Sequence, residues 1–153
     1  MDELAKILIE NSISICSLES FTVGNFASKI GMIPSISKVY KGSLICYQSI
    51  IKETVLKVSF NTIKTHGVVS KEVALEMAAR GIDLFKSDLA IAFTGNAGPT
   101  AMEGKQVGLI YYAIHYQGKN KAYELLLEGS REEIIEQAID VAISSVLDRL
   151  KEK

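Results

Sequence analysis

Apolar and polar positions change period several times along the chain, and each change marks an element. Residues 2–11 carry apolar side chains at 4, 5, 7, 8 and 9, which predicts a short helix with a broad apolar face. Residues 12–18 form a compact β-prone run, read as a buried strand. The stretch 19–24 breaks the pattern. Phe26, Ala27 and Ile30 then recur at helical spacing, and Gly31 is a natural stop. Pro34 and serines at 28, 35, 37 and 43 mark a loop-rich passage, and residues 42–47 read as a second strand. Ile50, Ile51, Val55 and Val58 suggest a short helix, and residues 61–67 read as a turn. Ser70 looks like an N-cap, with Glu72 in the first turn where the helix dipole favours an acid. Val73, Leu75, Met77, Ala78, Ile82 and Phe85 carry that helix to about residue 86. A third strand at 88–94 is apolar enough to be central, and a glycine-containing loop follows at 95–106. Residues 107–116 and 121–128 form an antiparallel pair turned through 117–120. Ser130 and Glu133 make a capping box that opens a last helix, whose inner side carries Ile134, Ile135, Ala138, Ile139, Ala142, Ile143, Val146 and Leu147.

The order α-β-α-β-α-α-β-β-β-α predicts an α/β fold, a mixed sheet with helices on both faces. No repeat, low-complexity segment or interior linker interrupts it, so the 153 residues are expected to form one domain. A chain of this size buries roughly 70% of the surface its unfolded form exposes and needs no staple. The content of 48% apolar and 23% charged residues excludes a disordered chain, a collagen and a disulfide scaffold. The net charge of −1, with no basic stripe, argues against a nucleic-acid partner, while one pocket could still hold a small anion. No run approaches the ~20 apolar residues that span a bilayer, so no membrane partner is expected. The N-terminus lacks the basic and apolar regions of a signal peptide, so the cytoplasm is the expected location. Cys16 and Cys46 sit in apolar runs without a CxxC and read as buried free thiols.

Three places can carry chemistry. The run Glu19-Ser20-Phe21-Thr22-Val23-Gly24 lies between a buried strand and a helix start, where an open α/β sheet binds ligands. Free N–H groups at that helix start suit a phosphate or a developing oxyanion, although Ser20 or Thr22 could equally serve as plain caps. Thr94-Gly95-Asn96-Ala97-Gly98-Pro99 follows the third strand directly. It is not a Walker loop, and its glycines permit either close approach of a ligand or a simple turn. Tyr47 and Lys52 lie across the end of the second strand and the next helix. A desolvated lysine beside a serine can act as a general base, although most lysines are surface residues. Arg131, in the first turn of the last helix, is a candidate anion binder or a solvated residue. His66 and His115 are unconvincing as ligands. With no HxH or HExxH motif, neither a metal nor another cofactor is expected.

At these residues the chain resembles the C-terminal domain of the competence/damage-inducible CinA family, also found as a stand-alone protein. The family's A-E-S-C-T-G-G stands here as Leu18-Glu19-Ser20-Phe21-Thr22-Val23-Gly24, and its Y-S-N-E-A-K as Tyr47-Gln48-Ser49-Ile50-Ile51-Lys52. Its H-G-A-V-S-x-E-V-A is His66-Gly67-Val68-Val69-Ser70-Lys71-Glu72-Val73-Ala74, and its T/S-G-I-A-G-P is Thr94-Gly95-Asn96-Ala97-Gly98-Pro99. Lys105-Gln106-Val107-Gly108 and Gly129-Ser130-Arg131-Glu132-Glu133-Ile134-Ile135 match its K-P-V-G and closing G-D-R-x-x-V-R. The resemblance implies a three-layer α/β/α domain. It also implies an amidohydrolase that converts nicotinamide mononucleotide to nicotinic acid mononucleotide and ammonia. Ser20 would be the nucleophile and Lys52 and Tyr47 its proton-transfer partners. Thr94, Gly95, Asn96 and Gly98, with Thr22, Gly24 and Arg131, would hold the nucleotide or the oxyanion.

The chain departs from the family pattern at Phe21, Val23, Ser49–Ile51, the shortened loop 100–104 and Ile135, which removes close-approach glycines and charges. Two alternatives follow, an amidohydrolase with another amide substrate and a silent binding or assembly module. A homodimer is the expected assembly, with the hairpin 107–127 supplying an edge.

Overall fold

The computed structural model describes residues 1–151. Strand β1 (Ile15–Glu19) is buried along its whole length, as its unbroken β-prone run requires. It pairs in parallel with β2 (Tyr40–Ile45) on one side and β3 (Leu89–Gly95) on the other. Strand β4 (Leu109–Tyr116) runs antiparallel to β3, and β5 (Lys119–Leu126) antiparallel to β4. The sheet order is therefore β2-β1-β3-β4-β5.

Parallel neighbours need crossovers, and helices supply them. Helix α2 (Asn25–Gly31) and a 3₁₀ turn (Ile36–Lys38) link β1 to β2. Helices α3 (Ser49–Thr54), α4 (Phe60–His66) and α5 (Lys71–Phe85) link β2 to β3, while α1 (Asp2–Glu10) and α6 (Arg131–Lys151) open and close the described chain. The capping box forms as read: Ser130 N–H donates to Glu133 Oε2 at 2.7 Å, and Glu133 N–H to Ser130 Oγ at 3.2 Å. At α5, Ser70 Oγ accepts the Val73 N–H at 3.2 Å.

Alternation along β3 builds the three layers. Leu89, Ile91 and Phe93 join one core cluster with residues of α1, α2 and α6. Ala90 and Ala92 join a second, with Val73, Ala74, Met77 and Ala78 of α5. Toward α5, strands β3 and β4 present small residues, Ala90, Ala92 and Ala113. A Cβ at Gly81 would run into the Leu18 side chain. Cys16 and Cys46 are free and buried, and burial pushes the Cys16 thiol up to about 11.

One expectation is corrected. Residues 61–67 lie largely in helix α4 rather than in a turn. The helix buries no side chain, and only Phe60 and Ile63 supply apolar spacing among poor helix formers. Its start is fixed from a distance, by Glu76 Oε1 accepting the Ser59 N–H at 2.8 Å. Among the described residues no helix is long and apolar enough to cross a membrane.

The chain leaves β1 toward β2 and returns to β3 on the other side. This is the switch point at which open α/β sheets bind ligands, beyond the strand C-termini. Ser20 follows β1, Cys46 and Tyr47 follow β2, and Asn96 follows β3. Gly95 seats that last exit against β4, because a Cβ there would lie 2.9 Å from Ile110 Cα and from Leu109 O. Backbone cannot yield as a side-chain tip can. Gly95→Ala is expected to lower stability by about 1–3 kcal/mol, read from urea unfolding; an unchanged midpoint would show that β4 can move.

Candidate functional site

Lys52 sits on α3 with 1% of its surface exposed. Its Nζ lies 2.8 Å from Ser20 Oγ, 2.7 Å from the Cys46 carbonyl oxygen and 3.1 Å from that of Tyr47. Burial lowers the Lys52 pKa below the ordinary lysine value of 10.5, opposed in part by the nearby Cys46. Carbonyls can only accept, so they take two Nζ hydrogens in either protonation state. The third position on nitrogen faces Ser20 Oγ. It is a hydrogen when the amine is charged and a lone pair when it is neutral. One proton can therefore pass between Ser20 and Lys52 while the other two bonds stay in place.

The expected N–H donors at the start of α2 are already occupied. Glu19, wholly buried, accepts the Gly24 N–H at 2.9 Å and the Phe26 N–H at 3.3 Å through Oε2, and the Ala27 N–H at 2.9 Å through Oε1. Gly24 thus turns its N–H onto Glu19, away from the cleft. Thr22 is buried, its Oγ1 has no partner among the described residues, and its carbonyl accepts from Asn25 N–H at 2.9 Å and Asn25 Nδ2 at 2.7 Å. Neither residue lines the cleft.

That cleft, 340 Å³, has Ser20 in its wall together with Tyr47, Gly95, Asn96 and Arg131 and the apolar Phe21, Val68, Ala97 and Met102. Tyr47 is there, but with a different geometry from that expected. Its carbonyl, not its phenol, meets Lys52, and its hydroxyl accepts from Arg131 Nη2 at 3.3 Å. Arg131 Nη1 donates to the Gly98 carbonyl at 2.7 Å, so the guanidinium bridges two loops at the mouth. Thr94 is set back from the cleft, donating from Oγ1 to the Val68 carbonyl at 2.7 Å. Asn96 staples its own loop: Oδ1 accepts the Met102 N–H at 3.1 Å, and Nδ2 donates to the Met102 carbonyl at 3.3 Å.

The departures from the family pattern resolve individually. Phe21 is buried edge-on against Phe93, with ring centroids 6.5 Å apart. Ile135 packs into the core and does not line the Ser20 cleft. Two groups were not singled out from the sequence as site-builders. Glu103 accepts the Val68 N–H at 2.6 Å and the Val69 N–H at 3.2 Å. Lys105 donates to the His66 and Val69 carbonyls, at 3.1 and 2.5 Å, and pairs with Glu103. Together they pin the wall that presents Val68; the match of Lys105 to the family's K-P-V-G and the opposite charge of Glu103 two residues away were the signals that pointed to it. The His66 side chain lies 3.7 Å from Glu72 and outside the cleft lining, and His115 Nδ1 is buried without a partner among the described residues. Among the described residues, no three His, Cys, Asp or Glu side chains gather to hold a metal ion.

Residues 1–150 match the CinA C-terminal domain family, and the chain belongs to it. A competence-damage inducible protein of Listeria innocua is 41% identical over 82% of this chain and 30% of its own length. One from Bacillus velezensis is 37% identical over 99% of this chain and 36% of its own. The chain thus spans about a third of the length of these curated relatives. A CinA superfamily protein from Escherichia coli superposes with a TM-score of 0.93 at 28% identity, over 95% of this chain and 86% of that one. One from Klebsiella pneumoniae gives 0.95 at 27% identity, over 97% and 94%.

Val23 stands where the family motif has glycine, and it adopts the left-handed φ of +43° with its side chain 45% exposed. That conformation costs a non-glycine residue roughly 1–2 kcal/mol, against roughly 0.5–1 kcal/mol of extra chain entropy for glycine. Val23→Gly should therefore raise stability by up to about 1 kcal/mol, a gain of about 2–4 °C in Tm. A lower Tm would mean that packing of the exposed isopropyl group outweighs the relief.

Proposed function

We propose that the chain is an amidohydrolase that converts nicotinamide mononucleotide to nicotinic acid mononucleotide and ammonia through Ser20. One observation carries this reading: a desolvated amine 2.8 Å from a serine hydroxyl in the wall of a cleft at the switch point of the sheet. Amide hydrolysis needs an activated nucleophile and a proton for the departing nitrogen, and this pair supplies both. Ser20 Oγ bonds to the carboxamide carbon as its proton passes to Lys52 Nζ. The C–N bond then breaks, and Lys52 returns the proton to the nitrogen, which leaves as ammonia. Water attacks the resulting ester, giving its proton to Lys52, and the acid departs as Ser20 recovers its hydrogen. Tyr47 serves through its carbonyl, which holds Lys52, and through its place in the cleft wall. Among the described residues Arg131 is the one cation lining the cleft, and it is suited to the nucleotide's anionic end.

The apolar walls formed by Phe21, Val68 and Met102 favour a second reading, an amidase for an uncharged aromatic amide. Ammonia release separates the two. The mononucleotide should be turned over with a higher kcat/KM than its dephosphorylated nucleoside, and Ser20→Ala should reduce release at least about 1,000-fold. A preference for the nucleoside would support the second reading. No Ser20-dependent release from either would leave a silent module.

The pH profile tests the base. Only neutral Lys52 can take the Ser20 proton, so kcat/KM must rise with pH through the Lys52 titration, below the ordinary lysine value. A rate that falls across that limb would remove Lys52 from the role.

A further inference from the structure

The residue before the nucleophile is held at both ends. The Glu19 main-chain carbonyl accepts the Cys46 N–H at 2.8 Å, and its side chain takes the N–H groups of Gly24, Phe26 and Ala27 at the start of α2. A carboxylate presents about four lone-pair sites on two oxygens, which suits three converging donors better than any other side chain of that reach. Those donors begin at the second of two successive left-handed residues, Val23 at +43° and Gly24 at +87°. The Val23 N–H closes the turn onto the Ser20 carbonyl at 3.1 Å. Ser20 therefore leaves a locked strand and enters a locked turn.

The other side of the Glu19 carboxylate is also engaged. Ser17 Oγ donates to Oε1 at 3.4 Å and meets Ser43 Oγ, which meets the Tyr40 hydroxyl at 2.5 Å. Cys46 ties this arrangement to the base, because the residue whose N–H holds Glu19 offers its carbonyl to Lys52 Nζ at 2.7 Å.

We infer that Glu19 is a positioning residue: by clamping the turn between β1 and α2 it fixes Ser20 Oγ at bonding distance from Lys52 Nζ. It does so without touching the reacting atoms. The inference rests on the reading of Ser20 as nucleophile, but not on the identity of the amide.

Phenylmethylsulfonyl fluoride tests it independently of substrate. Ser20 Oγ bonds to sulfur, fluoride leaves, and the serine proton passes to Lys52. Glu19→Gln keeps the reach and places N–H donors against N–H donors. Glu19→Asp keeps the charge and shortens the reach. Both should slow sulfonylation of Ser20, by about 10- to 100-fold for a displacement on the order of 1 Å. Both should leave the pH midpoint of the reaction in place, and Asp should retain more reactivity than Gln. With the mononucleotide, the loss should fall on kcat and spare KM.

A folded variant that labels at the wild-type rate would overturn the inference. So would a shifted pH midpoint, which would make Glu19 an electrostatic partner of Lys52. Failure of both variants to melt cooperatively would assign Glu19 to the fold alone. Wild-type protein that labels at Ser20 but releases no ammonia would defeat the substrate reading and leave the Glu19 measurement standing. Wild-type protein that leaves Ser20 unlabelled would defeat both.

Discussion

A primary amine with almost no surface in water must find its partners inside the protein, and Lys52 finds three oxygens. An unpaired amine at this depth would cost several kcal/mol, so these contacts are a condition of folding. Two of the oxygens are carbonyls just beyond the end of β2, and the third belongs to the residue just beyond β1. They converge only because β1 and β2 are paired in parallel with Glu19 opposite Ile45. A slip of one residue would turn the strand's side chains to opposite faces and part Ser20 from Lys52. The register of the sheet and the geometry of the site are thus one constraint.

The buried acid next to Ser20 is satisfied separately. Glu19 is matched by backbone N–H groups and Lys52 by carbonyls and a hydroxyl, so two ionisable residues share one corner without forming an ion pair. A direct pair would hold the amine in its charged form and take away its capacity to accept a proton. The Arg131 guanidinium remains at the cleft mouth, held by a loop carbonyl and a phenol that an anionic ligand could replace as partners.

Local signals were legible in the sequence and long-range ones were not. The apolar run in residues 88–94, Ser70 as a cap and the Ser130–Glu133 box each depend on neighbours within a few positions, and each stands in the structure. Lys52 and Ser20 were marked by residue type, and the sheet brings them together. Sequence spacing could not tell that Tyr47 would meet Lys52 through its main chain, because both of its polar groups lie within reach of that position. Nor could it show that the α2 donors would be consumed by Glu19, whose side chain could have pointed to either face of β1. Helix α4 was hidden because its two apolar residues and its distant Glu76 anchor leave no helical period to read.

The unequal layers around the sheet set different limits on sequence change. Against α6 and α1 the core is built of Ile, Leu and Phe, whose volumes can be traded against one another while the total is kept. Against α5, strands β3, β4 and β5 present Ala90, Ala92, Ala113 and Ala122 to a helix that carries Gly81, and a methyl group added at Gly81 would run into the Leu18 side chain. Substitution can wander on one side of the sheet by compensated exchange. On the other side a step up in bulk at one of those alanines must be met by a larger neighbour such as Leu18 or Met77 giving way, which ties each change there to a second one.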